Sequence, residues 1–433
     1  MRDSYTPTSG DARYRVERYE LDLTYTPRTN RLLGRAVLHV LVEEATDALR
    51  VDLLGLRVKR VRVDGAPHRE VKQGSRSVLV RLGEALPAGS RLAVAIEYAG
   101  SPAPRRSPWG RIGWEELTEG ALVAAQPNGA PTWFPCNDRI DDRAQYELRF
   151  TTDAEFFVAA SGVPGSVTRR GGVRTWTFTS GAPTATYLMT VHVGPYRERP
   201  LPVVAGHAAA RLVAPGAVLP AAEVAFAPLT SMLEVFERWF GPYPQAHLAV
   251  VVVGEELEIP LESQGLVTFG LNHLVPAERR LIAHELAHQW FGNSVAIGRW
   301  GDIWLNEGFS CFAEWVWSEE SGGPSIADMA ETWHARLTRM SQDLVLGDPG
   351  PELMFDDRVY KRGALTLEAL RRTIGDAPFR VLLRNWAEAH RHRLVSTADF
   401  CAYAQAHTET SLEPLWDQWF TRGQLPNLPP RPR

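Results

Sequence analysis

The chain has 433 residues, a hydrophobic fraction of 44%, a charged fraction of 23% and a formal net charge of -4. That length suggests two or three domains with a sizeable core, and the small net charge without a long basic run makes nucleic acid or an acidic membrane surface an unexpected partner. The three cysteines, Cys136, Cys311 and Cys401, are far apart and odd in number, which excludes a disulfide framework and a cysteine zinc site. With no apolar signal segment at the N-terminus and no uninterrupted apolar run of membrane-spanning length, a cytoplasmic protein is expected.

In chain order, the first 200 residues read as β. Apolar and β-branched runs recur at Tyr19–Tyr25, Ala36–Val42, Val58–Val63, Ser77–Leu82, Leu92–Tyr98, Tyr146–Thr151 and Thr186–Val193. Asp64-Gly65 and Gly171-Gly172 are suited to hairpin turns. Many short strands at regular spacing predict an antiparallel, saddle- or sandwich-like domain over residues 1–200. The pattern then changes. Residues 219–239 carry apolar side chains at helical spacing, ending before Gly241-Pro242. Strand-like blocks follow at Leu248–Val253 and Gly265–Phe269, and the chain is mainly helical to about Phe420, with Ser396-Thr397 as a helix cap and Pro426 to Arg433 as a loose tail. The class is therefore α+β, with a second domain over residues 201–433.

Within that second region His284-Glu285-Leu286-Ala287-His288 has the form H-E-x-x-H, on a segment that Gly292 can end. Residues four apart share a helical face, so both imidazoles reach one ion, with Glu285 beside the open coordination position. A catalytic zinc takes three protein ligands and a water, and two His with one Glu form such a set. Glu307, nineteen residues after His288, is the candidate third ligand on a returning helix. One zinc per chain is expected. Glu285 is then the candidate general base. The five-residue motif alone arises by chance in about a few per cent of chains of this size; Glu307 in its Asn-Glu-Gly setting makes it specific. Asp302 is a candidate to orient a ligand histidine.

At these residues the sequence resembles the aminopeptidase N-like family of gluzincin metallopeptidases, in which H-E-x-x-H is followed after eighteen residues by Glu within W-L-N-E-G-F. Here that segment is Trp304-Leu305-Asn306-Glu307-Gly308-Phe309. Trp133-Phe134-Pro135-Cys136-Asn137-Asp138 resembles the family's W-F-P-C-x-D, Thr186-Tyr187-Leu188 its T-Y-L strand, and Phe240-Gly241-Pro242-Tyr243-Pro244 its F-G-x-Y-P turn. Tyr360-Lys361-Arg362-Gly363-Ala364 resembles its Y-x-K-G-A helix start with one letter out of place, and Trp416-Asp417-Gln418-Trp419 the end of its catalytic domain. The resemblance covers nearly the whole chain, in order. It implies an N-terminal β-domain and a thermolysin-like, mainly helical catalytic domain with a small sheet, in a short form that stops before the further C-terminal domains of larger members, leaving an open cleft.

The resemblance also implies roles. Tyr360 stabilises the developing oxyanion. Glu262 anchors the substrate's α-ammonium, and Gln126 in the β-domain contacts substrate. The family's G-A-M-E-N stretch is replaced here by Ile259-Pro260-Leu261-Glu262-Ser263: the carboxylate survives, but Pro260 fixes φ and lacks an N–H, so the backbone differs. Glu262 would face a substrate paired with the edge strand at Gly265–Phe269. The expected activity is hydrolysis of N-terminal residues from peptides with free N-termini. A zinc endopeptidase with an altered anchor, an inactive zinc-stabilised interaction protein and an epoxide hydrolase on the same scaffold are the alternatives. The oligomeric state is not legible.

Overall fold

The computed structural model describes residues 3–202 and 209–431. Its first half is built on a nine-stranded sheet. In spatial order the strands are Val163–Arg170, Val173–Thr179, Arg143–Asp153, Tyr14–Thr26, Arg31–Val42, Arg91–Gly100, Arg57–Val63 and Ala66–His68, with Thr184–Ala185 paired to the third. Six of the seven expected strands fall inside these or the neighbouring strand Ser77–Leu86. The turns are as expected. Asp64 (φ 49°) and Gly65 (φ 79°) both adopt the left-handed conformation between paired strands, and Gly171 (φ 60°) does so before Val173.

The sheet departs from pure antiparallel order at one place, where Tyr14–Thr26 runs parallel to Arg143–Asp153. A parallel pair needs a long crossover, and here nearly the whole intervening sheet supplies it. A three-stranded sheet (Thr46–Asp52, Ser77–Leu86, Val71–Gln73) and a five-stranded sheet running from Phe157–Ala160 through Val191–Gly194, Gly120–Ala124 and Gly110–Leu117 to Arg105–Ser107 pack beside it. Tyr19, Trp114, Trp133, Phe134 and Tyr146 fill the space between them.

Thr186–Val193 is not one strand. Thr186–Leu188 forms a 3-10 turn, and the strand starts only at Val191. A backbone group that a ladder would use is engaged elsewhere: the Leu188 carbonyl accepts from Gln264 N and Ser161 Oγ, while the Thr186 side chain donates to Asp138 at 2.6 Å.

The second half begins with a four-stranded sheet, Tyr196–Pro200, Ala209–Pro215, His247–Val252 and Leu266–Phe269, the last three parallel. Tyr196–Pro200, which lies before the division expected at residue 200, is thus bonded into this second sheet. Leu122, Ala159, Tyr196, Val213, Ala249, Val251 and Leu266 join the two halves in one apolar layer.

Among the described residues the eight longer helices are α1 (Leu219–Ala225), α2 (Leu229–Phe240), α3 (Arg279–Ala287), α4 (Trp304–Glu320), α5 (Ile326–Leu337), α6 (Asp357–Ile374), α7 (Asp376–Ala389) and α8 (Thr397–Ala406). The single helix expected over 219–239 is two, because Pro228 cannot donate a backbone N–H and caps α2 instead of continuing α1. Together Leu219–Phe240 is long and apolar enough to cross a membrane by length and composition, but half of that window is buried within the fold. Helix α4 runs through the core, buried from Trp304 to Val316. Ser396 caps α8 with a reciprocal contact to Asp399, as expected. The described part of the tail is not loose: Pro426 O accepts from His334, Pro429 O from Arg372, and Arg431 pairs with Asp328 and Glu331.

Candidate metal centre and active site

Helix α3 carries His284 and Glu285 in its last turn and ends at Ala287, with His288 as its C-cap. The helix therefore stops before Gly292, because the His288 carbonyl accepts from Asn293 N and the Val295 N–H turns back to Trp290 O. Gly292 (φ 114°) makes the turn that follows. Helix α4 returns alongside and presents Glu307 in its first turn, where a carboxylate favours the positive end of the helix.

These elements bring His284, His288 and Glu307 together as a buried group whose ligand atoms all lie within 4.8 Å of one another. Glu307 Oε2 is 3.4 Å from His284 Nε2 and 3.4 Å from His288 Nε2. Tetrahedral donors about 2.1 Å from a zinc ion stand about 3.4 Å apart, so the spacing is that of a metal's ligand shell. The outer ring nitrogens fix the tautomers. His284 Nδ1 is 2.7 Å from Glu314 Oε1, and His288 Nδ1 is 3.0 Å from the Phe291 carbonyl. The carboxylate and the carbonyl only accept, and the Ser310 hydroxyl 3.1 Å from His288 Nδ1 can accept too, so each Nδ1 bears the proton and each Nε2 turns a lone pair toward an anionic oxygen. A cation between them satisfies that arrangement. Burial opposes charge on His284, but Glu307 and Glu314 outweigh it and push the imidazole up.

Glu314 is a residue that sequence reasoning missed. It lies seven residues after Glu307 on α4, two turns along the same face, which is the signal that could have found it. Arg280 approaches its other oxygen at 3.4 Å. Asp302 does not take this role. Its carboxylate is occupied by Arg299 at 2.7 Å and by Thr397 at the start of α8.

Glu285 is 4% exposed, and its Oε2 has no hydrogen-bond partner. Burial pushes its carboxyl up, against the pull of the two imidazoles. Tyr360, in the first turn of α6, lays its ring near-parallel to His284 at 5.9 Å, and its hydroxyl has no hydrogen-bond partner among the described residues. Glycines place this helix. A Cβ on Gly308 would lie 2.7 Å from the Gly363 Cα, and one on Gly363 would lie 2.7 Å from the Gly308 Cα. Helices α4 and α6 thus touch backbone to backbone, just beyond Glu307 and Tyr360.

Gln126 and Glu262, 136 positions apart, meet: Gln126 Nε2 donates to Glu262 Oε1 at 2.6 Å. The Glu262 carbonyl accepts from Asn293 Nδ2 at 2.8 Å, tying the anchor segment to the turn after His288. Tyr187 is the second residue sequence reasoning passed over as functional. It lines a small cavity with Gln126, Glu262 and Ser263. Burial, then the charge of Glu262, pushes its phenol well up, while Arg143 opposes.

The expected edge strand is partly covered. Leu266–Phe269 is at the sheet margin, but Thr268 already exchanges both backbone hydrogen bonds with Leu261 (3.0 and 2.9 Å). The altered Ile259-Pro260-Leu261 segment thus lies along that edge, and the outermost backbone is its own. A cleft of about 710 Å³ opens beyond, between Trp109, Ile112 and Gln126 of the first half and Ile259, Phe355 and Tyr360 of the second.

Comparison with known proteins agrees with this arrangement. Residues 15–188 match the model of the peptidase M1 N-terminal domain, and residues 224–419 that of the peptidase family M1 domain. A glutamyl aminopeptidase of Bos taurus is 26% identical over 71% of this chain and 34% of its own length. A leucyl aminopeptidase of Saccharolobus solfataricus is 23% identical over 95% of this chain and 54% of its own length. The chain thus spans about half, or less, of the length of these curated relatives. An M1 zinc metallopeptidase of Deinococcus radiodurans, solved with a Tyr-Ser-Ala substrate, is 33% identical over 99% of both chains with a TM-score of 0.89. The donor set is that of a family which uses zinc, and the match runs through both halves of the molecule: the chain belongs to peptidase family M1.

Proposed function

We propose that the protein is a zinc-dependent aminopeptidase that removes N-terminal residues from peptides, with His284, His288 and Glu307 holding the metal. The observation that carries this reading is the contact between Gln126 and Glu262 beside the His-His-Glu group. It sets a carboxylate, with no cationic side chain paired to it among the described residues, where a substrate's terminal ammonium would lie. Bound zinc supplies polarisation of the scissile carbonyl and a lowered pKa for water.

The rest is done by side chains. Glu285, buried with one oxygen unpartnered, accepts the proton of the attacking water and delivers it to the departing amine. Tyr360 directs its hydroxyl at the carbonyl oxygen as negative charge develops there. Glu262 and Gln126 hold the ammonium, and that contact is stronger in a partly dry site than in water. Tyr-Ser-Ala as a substrate of the Deinococcus relative supports small peptides as the class. A cytoplasmic setting is supported by the free cysteines, of which Cys136 and Cys311 are buried.

The test compares a free peptide with its N-acetylated form, each with and without a chelator and with zinc restored. The reading requires zinc-dependent release of the first residue from the free peptide alone. Equal cleavage of both forms replaces it with the endopeptidase alternative, and cleavage insensitive to chelation removes the metal from the account.

A further inference from the structure

The metal helix and the anchor segment meet at Asn293. This residue lies in the turn after His288, and its backbone N–H donates to the His288 carbonyl at 3.0 Å. Its side-chain amide donates to the Glu262 carbonyl at 2.8 Å and to the Ser263 carbonyl at 3.3 Å. One residue thus ties Glu262 to a metal-ligand candidate. Its carbonyl is taken by the other half of the molecule. Arg143, the first residue of strand Arg143–Asp153, donates Nη2 to it at 2.6 Å and Nη1 to the Ser294 carbonyl at 3.4 Å.

The guanidinium has little else to hold it. Its Nε is buried without a hydrogen-bond partner, and no carboxylate pairs with it among the described residues. Burial pushes it down to about 10. A cation taken out of water without a counter-ion is unfavourable, and two carbonyls offset that only in part. What the group gains over a neutral donor is shape: a rigid fork of N–H groups spans two consecutive carbonyls and fixes the orientation of the turn as well as its position. The base of the side chain is equally fixed, because Arg143 pairs with Ala185 beside the Thr186–Leu188 turn. On its other side the turn is braced by Ser294 Oγ, which accepts from His392 N at 3.2 Å.

We propose that Arg143 is a positioning residue: by clamping the Asn293-Ser294 turn from the first half, it sets the separation between the anchor segment at Glu262 and the metal group at His288. The proposal rests on the aminopeptidase reading and adds to it a residue that touches neither substrate nor metal. On that reading a substrate is held at two points at once, by its terminal ammonium and by its scissile carbonyl. Two linked contacts reinforce each other only when their spacing fits the ligand, and a misplacement of about 1 Å costs about 10²-fold in rate.

The probes are L-leucine hydroxamate, which carries a metal-binding hydroxamate and an α-amine at the spacing of a substrate's first residue, and its desamino analogue, which keeps the hydroxamate alone. Both are used as competitive inhibitors of the zinc-loaded protein, with zinc content and thermal midpoint measured alongside. The unmutated protein should bind the amine compound at least about tenfold more tightly than the analogue. Arg143→Met should reduce that advantage to about twofold or less and leave zinc content and the affinity of the desamino compound unchanged. Arg143→Lys, which still donates to a carbonyl, should keep most of it. Asn293→Ala leaves in place the carbonyls that Arg143 grips; it should lose the advantage as well, and the double variant should lose no more than either single one. A role in packing alone lowers the thermal midpoint and leaves the ratio of the two inhibitors where it was. That result overturns the proposal, and so does an equal weakening of both inhibitors. Should Arg143→Met fail to fold, Asn293→Ala decides: an undiminished advantage there overturns the proposal too. If the unmutated protein does not distinguish the two compounds, the aminopeptidase reading falls, and the proposal with it.

Discussion

Glu314 shows what a single residue adds to the centre. It accepts from His284 Nδ1 at 2.7 Å and so fixes which ring nitrogen faces Glu307 and would meet a bound metal. Replacing such a partner typically costs 10–100-fold in metal affinity, so Glu314→Gln should weaken zinc binding by roughly that factor. Competition against a chelating dye measures it, and unchanged affinity would mean that His284 is oriented by its helix alone. Tyr360→Phe is a separate case. If the hydroxyl acts only as charge develops, kcat should fall by about 10²-fold with KM little altered; a change confined to KM would place Tyr360 in binding instead. The clustering of His284, His288 and Glu307 was legible in the sequence because a helix repeats on one face every four residues and Glu307 lies one return helix away. Asp302 was attractive for its closeness to Glu307 along the chain, but Arg299 and Thr397 occupy it. Nearness in sequence does not tell which acceptor is free.

At the scale of elements, the crossing of α4 and α6 sets the distance between Glu307 and Tyr360. Gly308 and Gly363 allow it, since a methyl on either would lie 2.7 Å from backbone. Gly363→Ala should destabilise the fold by about 1–3 kcal/mol through overpacking and lower kcat by displacing Tyr360 along with α6. Urea unfolding and steady-state rates check the two parts. Loss of stability with full activity would show that the crossing serves packing alone. Elements governed by local periodicity were readable: the alternating strands, the Asp64-Gly65 turn and the Ser396 cap. Those governed by a single residue's hydrogen bonding were not. Pro228 splits one apolar helical stretch into α1 and α2, and Leu188, whose carbonyl accepts from Gln264 N and Ser161 Oγ, ends a 3-10 turn where a strand was expected. The apolar pattern is the same in either case.

For the whole molecule, the proposed active site draws on both halves. Gln126 leaves the five-stranded sheet to reach Glu262, and the cleft has walls from each side. The N-terminal segment adds a second tie, with Asp3 accepting from Trp300 N just before α4 and Gly350 N donating to the Tyr5 hydroxyl ahead of α6. None of this was legible from periodicity, which records which face of an element is apolar but not what lies against it. The parallel pairing of Tyr14–Thr26 with Arg143–Asp153 was hidden for the same reason. If the first half contributes to substrate binding, Gln126→Ala should raise KM for free-amine peptides severalfold and leave kcat near normal, because the lost contact is equal in ground and transition states. An unchanged KM would reduce Gln126 to a support for Glu262.

In the proposed mechanism a zinc held by His284, His288 and Glu307 works with Glu285 as the base. The most direct measurement is zinc content together with turnover in Glu285→Gln. The amide retains the size of the carboxylate but cannot accept the proton. The variant should hold one zinc per chain, as the unmutated protein does, and hydrolyse a free peptide more slowly by at least about 10²-fold. Turnover within a few-fold of the unmutated enzyme, with the metal in place, would remove Glu285 as the base.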